Sequence, residues 1–398
     1  MQSVIFRTHG FLNGSGHGIA ERGHARAAVA VLFLIELIFA MPANAGYIQT
    51  NLVSDGGVSG TATDPALVNP WGMAASSGSP LWVSDNGTGL ATVYNGLGVK
   101  QGLTVSIPPI GGTDAAKPTG QVFNSSSTFN GDSFIFATEN GTISGWRGSL
   151  GTTTELLFDN STNGAVYKGL AIGGIAANTY LYAANFNSGQ IDVFKDNAAP
   201  SLPGSFTDPT LPSGYAPFNI QHIGSSLFVT YALQDGTKKN DVAGAGNGYV
   251  DEFGLNGNFI RRVISNGPLN SPWGLTYAPS TFGQFSNALL VGNSGDGLIN
   301  AFDVLTGTFL GSLADLTNTP LAIDGLRGLL FGNGGNGGQT NELFFTAGPN
   351  EGTDGLFGKI TTTDAPASVP EPATFGLFIA GLTALLRARF RSLRKKLV

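Results

Sequence analysis

Asn69, Asp85, Glu139, Asn185, Asn219 and Asn293, with Asn86 and Asn140 beside two of them, are the residues from which this sequence could assemble a site. All carry side-chain oxygen. Carboxylate and amide oxygens gathered at one place suit a hard cation such as Ca²⁺, with Asp85 and Glu139 supplying the negative charge. The competing reading is that Asn and Asp at these places only close hairpin turns, where their side chains satisfy backbone groups. Other chemistries find less support. The chain has no cysteine, which removes thiol catalysis, disulfides and thiolate metal sites. His9, His17 and His24 fall in an N-terminal leader, so His222 is the one imidazole of the body, too few for zinc. A Ser-His-Asp triad built on it has no local support. Gly332-Asn333-Gly334-Gly335-Asn336-Gly337 matches G-x-G-x-x-G, but it lies between strands and lacks the helix that a phosphate-binding loop needs. There is no Walker A sequence and no G-x-S-x-G elbow, and no catalytic residue is assigned.

The elements that must position these residues repeat. Six first strands begin at Asn69-Pro70-Trp71-Gly72, Lys117-Pro118-Thr119-Gly120, Tyr167-Lys168-Gly169-Leu170, Ala216-Pro217-Phe218-Asn219, Ser271-Pro272-Trp273-Gly274 and Leu326-Arg327-Gly328-Leu329. Their aligned positions 72, 120, 169, 219, 274 and 328 are separated by 48, 49, 50, 55 and 54 residues. A period near fifty in a β sequence holding 59 Gly and 20 Pro reads as propeller blades. Second strands follow at Leu81-Trp82-Val83, Phe134-Ile135-Phe136, Leu181-Tyr182-Ala183, Leu227-Phe228-Val229, Leu289-Leu290-Val291 and Leu343-Phe344-Phe345, and tight turns such as Asn86-Gly87 join them to third strands. The sixth unit stops at Ile360 after three strands, while Tyr47 to Val53 stands unpaired at the other end. Pairing the two would close the ring and remove a sheet edge. The expected fold is therefore all-β: a six-bladed β-propeller of four-stranded blades, closed by the N-terminal strand, with short apolar helices at both termini. If the first strand of each blade is innermost, the candidate residues share one face of the ring. The insertion Ala232 to Gly248 in the fourth unit, with Lys238 and Lys239, overhangs that face.

Charge is divided between body and ends. From Gly46 to Ser368 the chain carries 11 basic and 23 acidic residues, a net charge of −12, which argues against a nucleic-acid partner. Behind Arg22 and Arg26, the apolar run Ala27 to Ala40 leads to Ala43-Asn44-Ala45, an A-x-A processing site that predicts a signal peptide over 1–45 and a mature start at Gly46. The body then spans 46–360 and a Thr-rich linker 361–368. Over 369–398, Pro370-Glu371-Pro372 precedes the apolar run Ala373 to Leu386 and a cluster including Arg387, Arg389 and Arg391. Such a cluster should stay cytoplasmic by the positive-inside rule. Fourteen apolar residues are few for a permanent span, so transient inner-membrane anchoring is expected.

The order Pro-Glu-Pro, apolar helix, Arg-rich terminus resembles the PEP-CTERM sorting signal of Gram-negative bacteria. That resemblance implies processing by an exosortase-type enzyme and delivery to the cell envelope, cell surface or exterior. The phrases LWVSDNGTGLATVY and LYAANFNSGQIDVF resemble NHL-type propellers, related in fold to gluconolactonase-like propellers. With the N-P-W-G and S-P-W-G turns, they also resemble an uncharacterised bacterial family of secreted, PEP-CTERM-tagged propellers across Tyr47 to Ile360. Two functional classes stay open. One is a non-enzymatic surface or matrix protein engaging exopolysaccharide or an envelope protein. The other, implied by the gluconolactonase-like resemblance, is a Ca²⁺-dependent hydrolase acting at the channel mouth.

Overall fold

A chain this rich in glycine can bring backbones closer than side chains normally allow, and the six repeat positions use that freedom. In the computed structural model, which describes residues 46–59, 61–111 and 115–363, six sheets stand radially around an axis. The closing strand β1 (Tyr47–Ser54) and the short β2 (Ala62–Thr63) come first. Blade 1 holds β3 (Pro70–Ala74), β4 (Leu81–Asp85), β5 (Leu90–Tyr94) and β6 (Lys100–Ser106). Blade 2 holds β7 (Pro118–Phe123), β8 (Phe134–Thr138), β9 (Thr142–Trp146) and β10 (Glu155–Asp159). Blade 3 holds β11 (Tyr167–Ile175), β12 (Asn178–Asn185) and β13 (Gln190–Lys195). Blade 4 comprises β14 (Tyr215–Ile223), β15 (Ser226–Leu233), β16 (Tyr249–Gly254) and β17 (Phe259–Ser265). Blade 5 comprises β18 (Pro272–Tyr277), β19 (Leu289–Asn293), β20 (Ile299–Phe302) and β21 (Phe309–Ser312). Blade 6 runs β22 (Leu326–Phe331), β23 (Leu343–Ala347) and β24 (Leu356–Thr362), and β1 completes it by antiparallel pairing with β24. Strand β24 extends through Thr361 and Thr362 because Ile48 and Tyr47 pair with them.

Each first strand is innermost and carries a register shift at the repeat position. There the backbone presses against the next blade: a Cβ on Gly72 would lie 2.4 Å from the Thr119 carbonyl, and one on Gly120 would lie 2.3 Å from the Leu170 nitrogen. No side chain fits such gaps. The one exception, Asn219, turns its side chain along the ring and donates from Nδ2 to the Trp273 carbonyl at 2.7 Å.

Between neighbouring blades lie six apolar layers. Trp82, Phe134 and Phe136 join blades 1 and 2, while Tyr47, Phe282, Phe285 and Phe345 join blades 5 and 6. Second strands such as β4, β8, β19 and β23 are buried along their whole length because blades cover both faces, which explains their unbroken apolar runs. Each large side chain so enclosed contributes roughly 1.5–3 kcal/mol.

Blade 3 differs from the four-stranded expectation: among the described residues it has three strands. Pro200, Pro203, Pro209 and Pro212 follow β13, and proline cannot donate to a ladder. The segment instead hydrogen-bonds the β16–β17 turn, through Gly204 N to Asn256 O and Phe206 N to Gly257 O. The signal-peptide residues Ala43 and Ala45, the apolar runs 27–40 and 373–386, Pro370-Glu371-Pro372 and Arg387, Arg389 and Arg391 lie outside the described residues. Among the described residues no helix is long and apolar enough to cross a membrane.

Candidate functional site at the axial mouth

Immediately upstream of the repeat position, the inner strands carry Trp71, Thr119, Lys168, Phe218, Trp273 and Arg327. Thr119 is spent on architecture, donating to the Tyr167 carbonyl of the next blade. The other five meet at one end of the axis. Trp71 packs edge-on against Trp273 (5.6 Å between ring centres) and Phe218 (6.1 Å), with Phe186 behind them. Trp273 Nε1 donates to the Lys168 carbonyl, which ties blade 5 to blade 3 across the axis. Below this cluster is a cavity of about 30 Å³ lined by residues of all six inner strands, Gly72, Gly120, Leu170, Asn219, Trp273 and Gly328 among them. It has room for about one water molecule.

Two cations flank Trp71. The Lys168 ammonium lies 5.0 Å from its ring centre and the Arg327 guanidinium 4.5 Å. Desolvated cation–π contacts of this kind contribute up to about 2 kcal/mol. Their electrostatic situations differ. Lys168, itself buried, forms an ion pair with Glu139. Lys168 and a further hydrogen bond from Asn86 Nδ2 (3.2 Å) overcome the effect of burial and hold the Glu139 carboxyl below its usual range. Arg327 has no carboxylate within ion-pairing distance among the described residues; its one hydrogen bond is a long one, 3.3 Å, from Nη1 to the Leu326 carbonyl. Its Nε is buried without a partner, as is the Nε1 of Trp71 beneath it. Burial pulls the Arg327 guanidinium below its ordinary value, with only the more distant Asp241, Glu139 and Asp324 opposing this.

The insertion in blade 4 reaches over the same face. Gln234 donates to the Phe186 carbonyl, and Gly244 N to Asn270 Oδ1 at 2.7 Å. The exposed tip with Lys238 and Lys239 is a tight turn organised by Asp235, whose carboxylate accepts from Thr237, Lys239 and Asn240. Burial opposes this, but these bonds together outweigh it and hold Asp235 far below the usual carboxylate range.

The six oxygen-bearing residues singled out from sequence do not form one cluster. Asn69 and Glu139 sit at the mouth and are linked through Asn86, to which Asn69 Nδ2 donates at 3.1 Å. Asp85 lies inside blade 1, wholly buried, and burial pushes its carboxyl well above the usual range. Asn185 braces a turn by accepting from Val166 N and donating to Asp192. Asn293 donates to the Pro268 carbonyl and Asp296, and Asn219 is the interblade clamp already described. A Ca²⁺ ion does not fit this set: Asp85 is sealed in a sheet favouring its neutral form, and the Glu139 carboxylate already faces an ammonium. Among the described residues no three acidic or imidazole side chains converge as a metal cluster would require. His222 lies in β14, its Nδ1 3.1 Å from the Ile172 carbonyl of blade 3. The glycine-rich 332–337 loop joins β22 to β23 and is pinned by Asn333 Nδ2 to the Ser76 and Ser79 carbonyls. Sequence reasoning on oxygen donors passed over Trp71, Lys168, Phe218, Trp273 and Arg327. Their signal was available: one column of the repeat carries large aromatic and cationic residues beside an almost invariant small one.

No family model matches the chain. Among solved structures, virginiamycin B lyase from Staphylococcus aureus aligns with a TM-score of 0.47 at 13% identity, covering 80% of this chain and 99% of the lyase. The apo form of the soluble aldose sugar dehydrogenase of Escherichia coli aligns with a TM-score of 0.47 at 11% identity, covering 79% and 99%. Sequence relatives are found in Acanthamoeba polyphaga mimivirus. One uncharacterised protein is 36% identical over 315 residues, 75% of this chain and 76% of its own length. A second is 34% identical over 326 residues, 78% and 84% of the two chains. With more than a third of its residues shared over three quarters of its length, the chain belongs to the family of these uncharacterised mimiviral proteins.

Proposed function

We propose that the protein is an exported, non-enzymatic binding propeller of the cell surface or extracellular matrix, with its ligand held at the axial mouth. The observation that carries this reading is the convergence of Trp71, Lys168, Phe218, Trp273 and Arg327 from five inner strands onto one end of the axis, with Arg327 lacking a counter-ion among the described residues. Stability alone would favour an apolar plug there, since desolvating a charge costs several kcal/mol. The secretion signal ending at Ala45 and the Pro370-Glu371-Pro372 sorting motif, processed by an exosortase-type enzyme, would deliver this mouth to the envelope, where exopolysaccharide or an envelope protein is in reach. The gluconolactonase-like alternative asks for carboxylates gathered around Ca²⁺, whereas the Glu139 carboxylate at this mouth is committed to Lys168 and no acidic cluster forms among the described residues. The test is retention of the purified protein on native extracellular polymer. A variant with the insertion tip, residues 235–242, shortened to a tight turn serves as the comparison, with lactone hydrolysis assayed in the presence of Ca²⁺. Polymer retention that weakens in the short-loop variant at nearly unchanged Tm supports the reading. No retention, or turnover of lactone, would overturn it.

A further inference from the structure

The described residues contain four arginines. Arg147 holds Asp132 and Glu155, Arg261 holds Glu252, and Arg262 holds Asp208 and Asp251. Arg327 holds no carboxylate among the described residues, in a body whose acidic residues outnumber its basic ones about two to one. The Arg327 guanidinium sits over the Trp71 face, 4.5 Å from the ring centre, and the N–H groups of a guanidinium point outward in its own plane. Five donors are available and one long hydrogen bond is made. The two buried orphan nitrogens of the stacked pair, Arg327 Nε and Trp71 Nε1, are both donors, so the group they lack is an acceptor. Charge gives the same answer: Glu139 neutralises Lys168, which leaves one net positive charge in the ring position, at Arg327.

Resting on the binding reading above, we propose that the axial mouth recognises a carboxylate, received by Arg327 and backed by the Trp71 face. A planar two-oxygen anion matches the guanidinium edge, as the bidentate geometry of arginine–carboxylate pairs requires. The carboxylate can arrive on a uronic-acid residue of an acidic polysaccharide or on a free organic acid.

Binding is measured by calorimetry and thermal shift on the full-length protein with galacturonate, polygalacturonate, galactose and acetate. The wild-type protein is compared with Arg327→Gln and Arg327→Lys. Galacturonate or polygalacturonate should bind and raise Tm while galactose does not. Arg327→Gln should weaken binding by roughly 10- to 100-fold, the loss of a charge-assisted pair. Arg327→Lys, which keeps the charge and loses the fork, should fall between. Binding of acetate alone, lost in the same variants, assigns the site to free acids. The idea is overturned if no carboxylate binds, if galactose equals galacturonate, or if Arg327→Gln binds like wild type with an unchanged Tm. Native polymer whose carboxyl groups have been reduced separates the two readings. If it is retained as well as the untreated polymer, the propeller is a binder and carboxylate recognition is wrong. If neither polymer is retained, the binding reading itself fails.

Discussion

Arg262 and Arg327 make nearly the same stacking contact in two regions of the ring. The Arg262 guanidinium lies 4.7 Å from the Tyr249 ring centre in the outer part of blade 4, and that of Arg327 lies 4.5 Å from the Trp71 ring centre at the axis. What surrounds the guanidinium edge differs. Arg262 faces two fully buried carboxyl groups, with its Nε donating to Asp251 at 3.2 Å and its Nη2 paired with Asp208. Arg327 faces none among the described residues. A stacked arginine enclosed by acids is a structural strut, whereas the one without an acid at its edge is proposed as a receptor. Removing each charge should therefore have opposite consequences. Arg262→Gln leaves two buried carboxyl groups without their counter-ion and should cost about 3–5 kcal/mol, the usual penalty for breaking a buried pair. Arg327→Gln should leave stability at or slightly above wild type, because the desolvation relieved at least offsets the stacking lost. Urea unfolding of the two variants reads the contrast. Equal losses would mean that Arg327 is also a strut.

The acids around Arg262 make the contrast pH-dependent. Burial and the neighbouring Asp208 raise Asp251 from its ordinary 3.8 to about 7, against the opposing pull of Arg262. A carboxyl whose folded value lies above its unfolded one binds its proton more tightly when folded. Its contribution is therefore complete below about pH 4 and is lost as pH rises through 7. Asp251→Asn, which stays neutral, should match wild type near pH 4 and gain on it steadily up to about pH 7. A stability difference independent of pH would show that Asp251 is ionised throughout. Nothing comparable is expected at the axis, where Glu139 is held low by Lys168.

A smaller effect separates the two sides of a blade. Gly120 meets the next inner strand, so Gly120→Ala should cost about 1–3 kcal/mol, as overpacking does. Gly102 in the outer strand β6 has open space where its Cβ would be, and Gly102→Ala should change stability by about 0.5 kcal/mol at most. Denaturant midpoints of the pair decide whether the repeat glycines are there for blade spacing.

That spacing is why the architecture could be read from sequence. A position that admits no side chain shows up as glycine at 72, 120, 169, 274 and 328, and the ring follows from the period. The closing strand was legible too, because a blade one strand short and a spare strand at the opposite end have one economical pairing. Blade 3 was less so, since a row of apolar repeats does not say where prolines will divert the chain. The site was the least legible part. Asn and Asp at strand ends have the same appearance whether they hold a ligand or a turn, and Asn185 and Asn293 hold turns. A cation stacked on an aromatic ring two blades away in sequence leaves no local signature. Lys168 and Trp71 can be linked only once the inner strands are known to share an axis.

The smallest expected effect lies at the rim of the mouth. Lys238 and Lys239 stand exposed at the tip of the insertion, in reach of a polyanion approaching Arg327 but in no ion pair among the described residues. Their charges act through solvent, so their attraction is screened within about 10 Å at 0.1 M salt. Lys238 has a φ of 57°, which asparagine tolerates better than most residues, so the variant of choice is Lys238→Asn with Lys239→Ala. Its Tm should match wild type. Its affinity for polygalacturonate should fall roughly two- to threefold at low ionic strength and converge on wild type near 0.5 M salt, where surface charges no longer steer association. The loss in Arg327→Gln should persist at high salt, because a stacked, partly buried guanidinium meets its carboxylate at contact distance. If both variants lose their defect in salt, the mouth acts as a diffuse positive patch and Arg327 makes no specific bond.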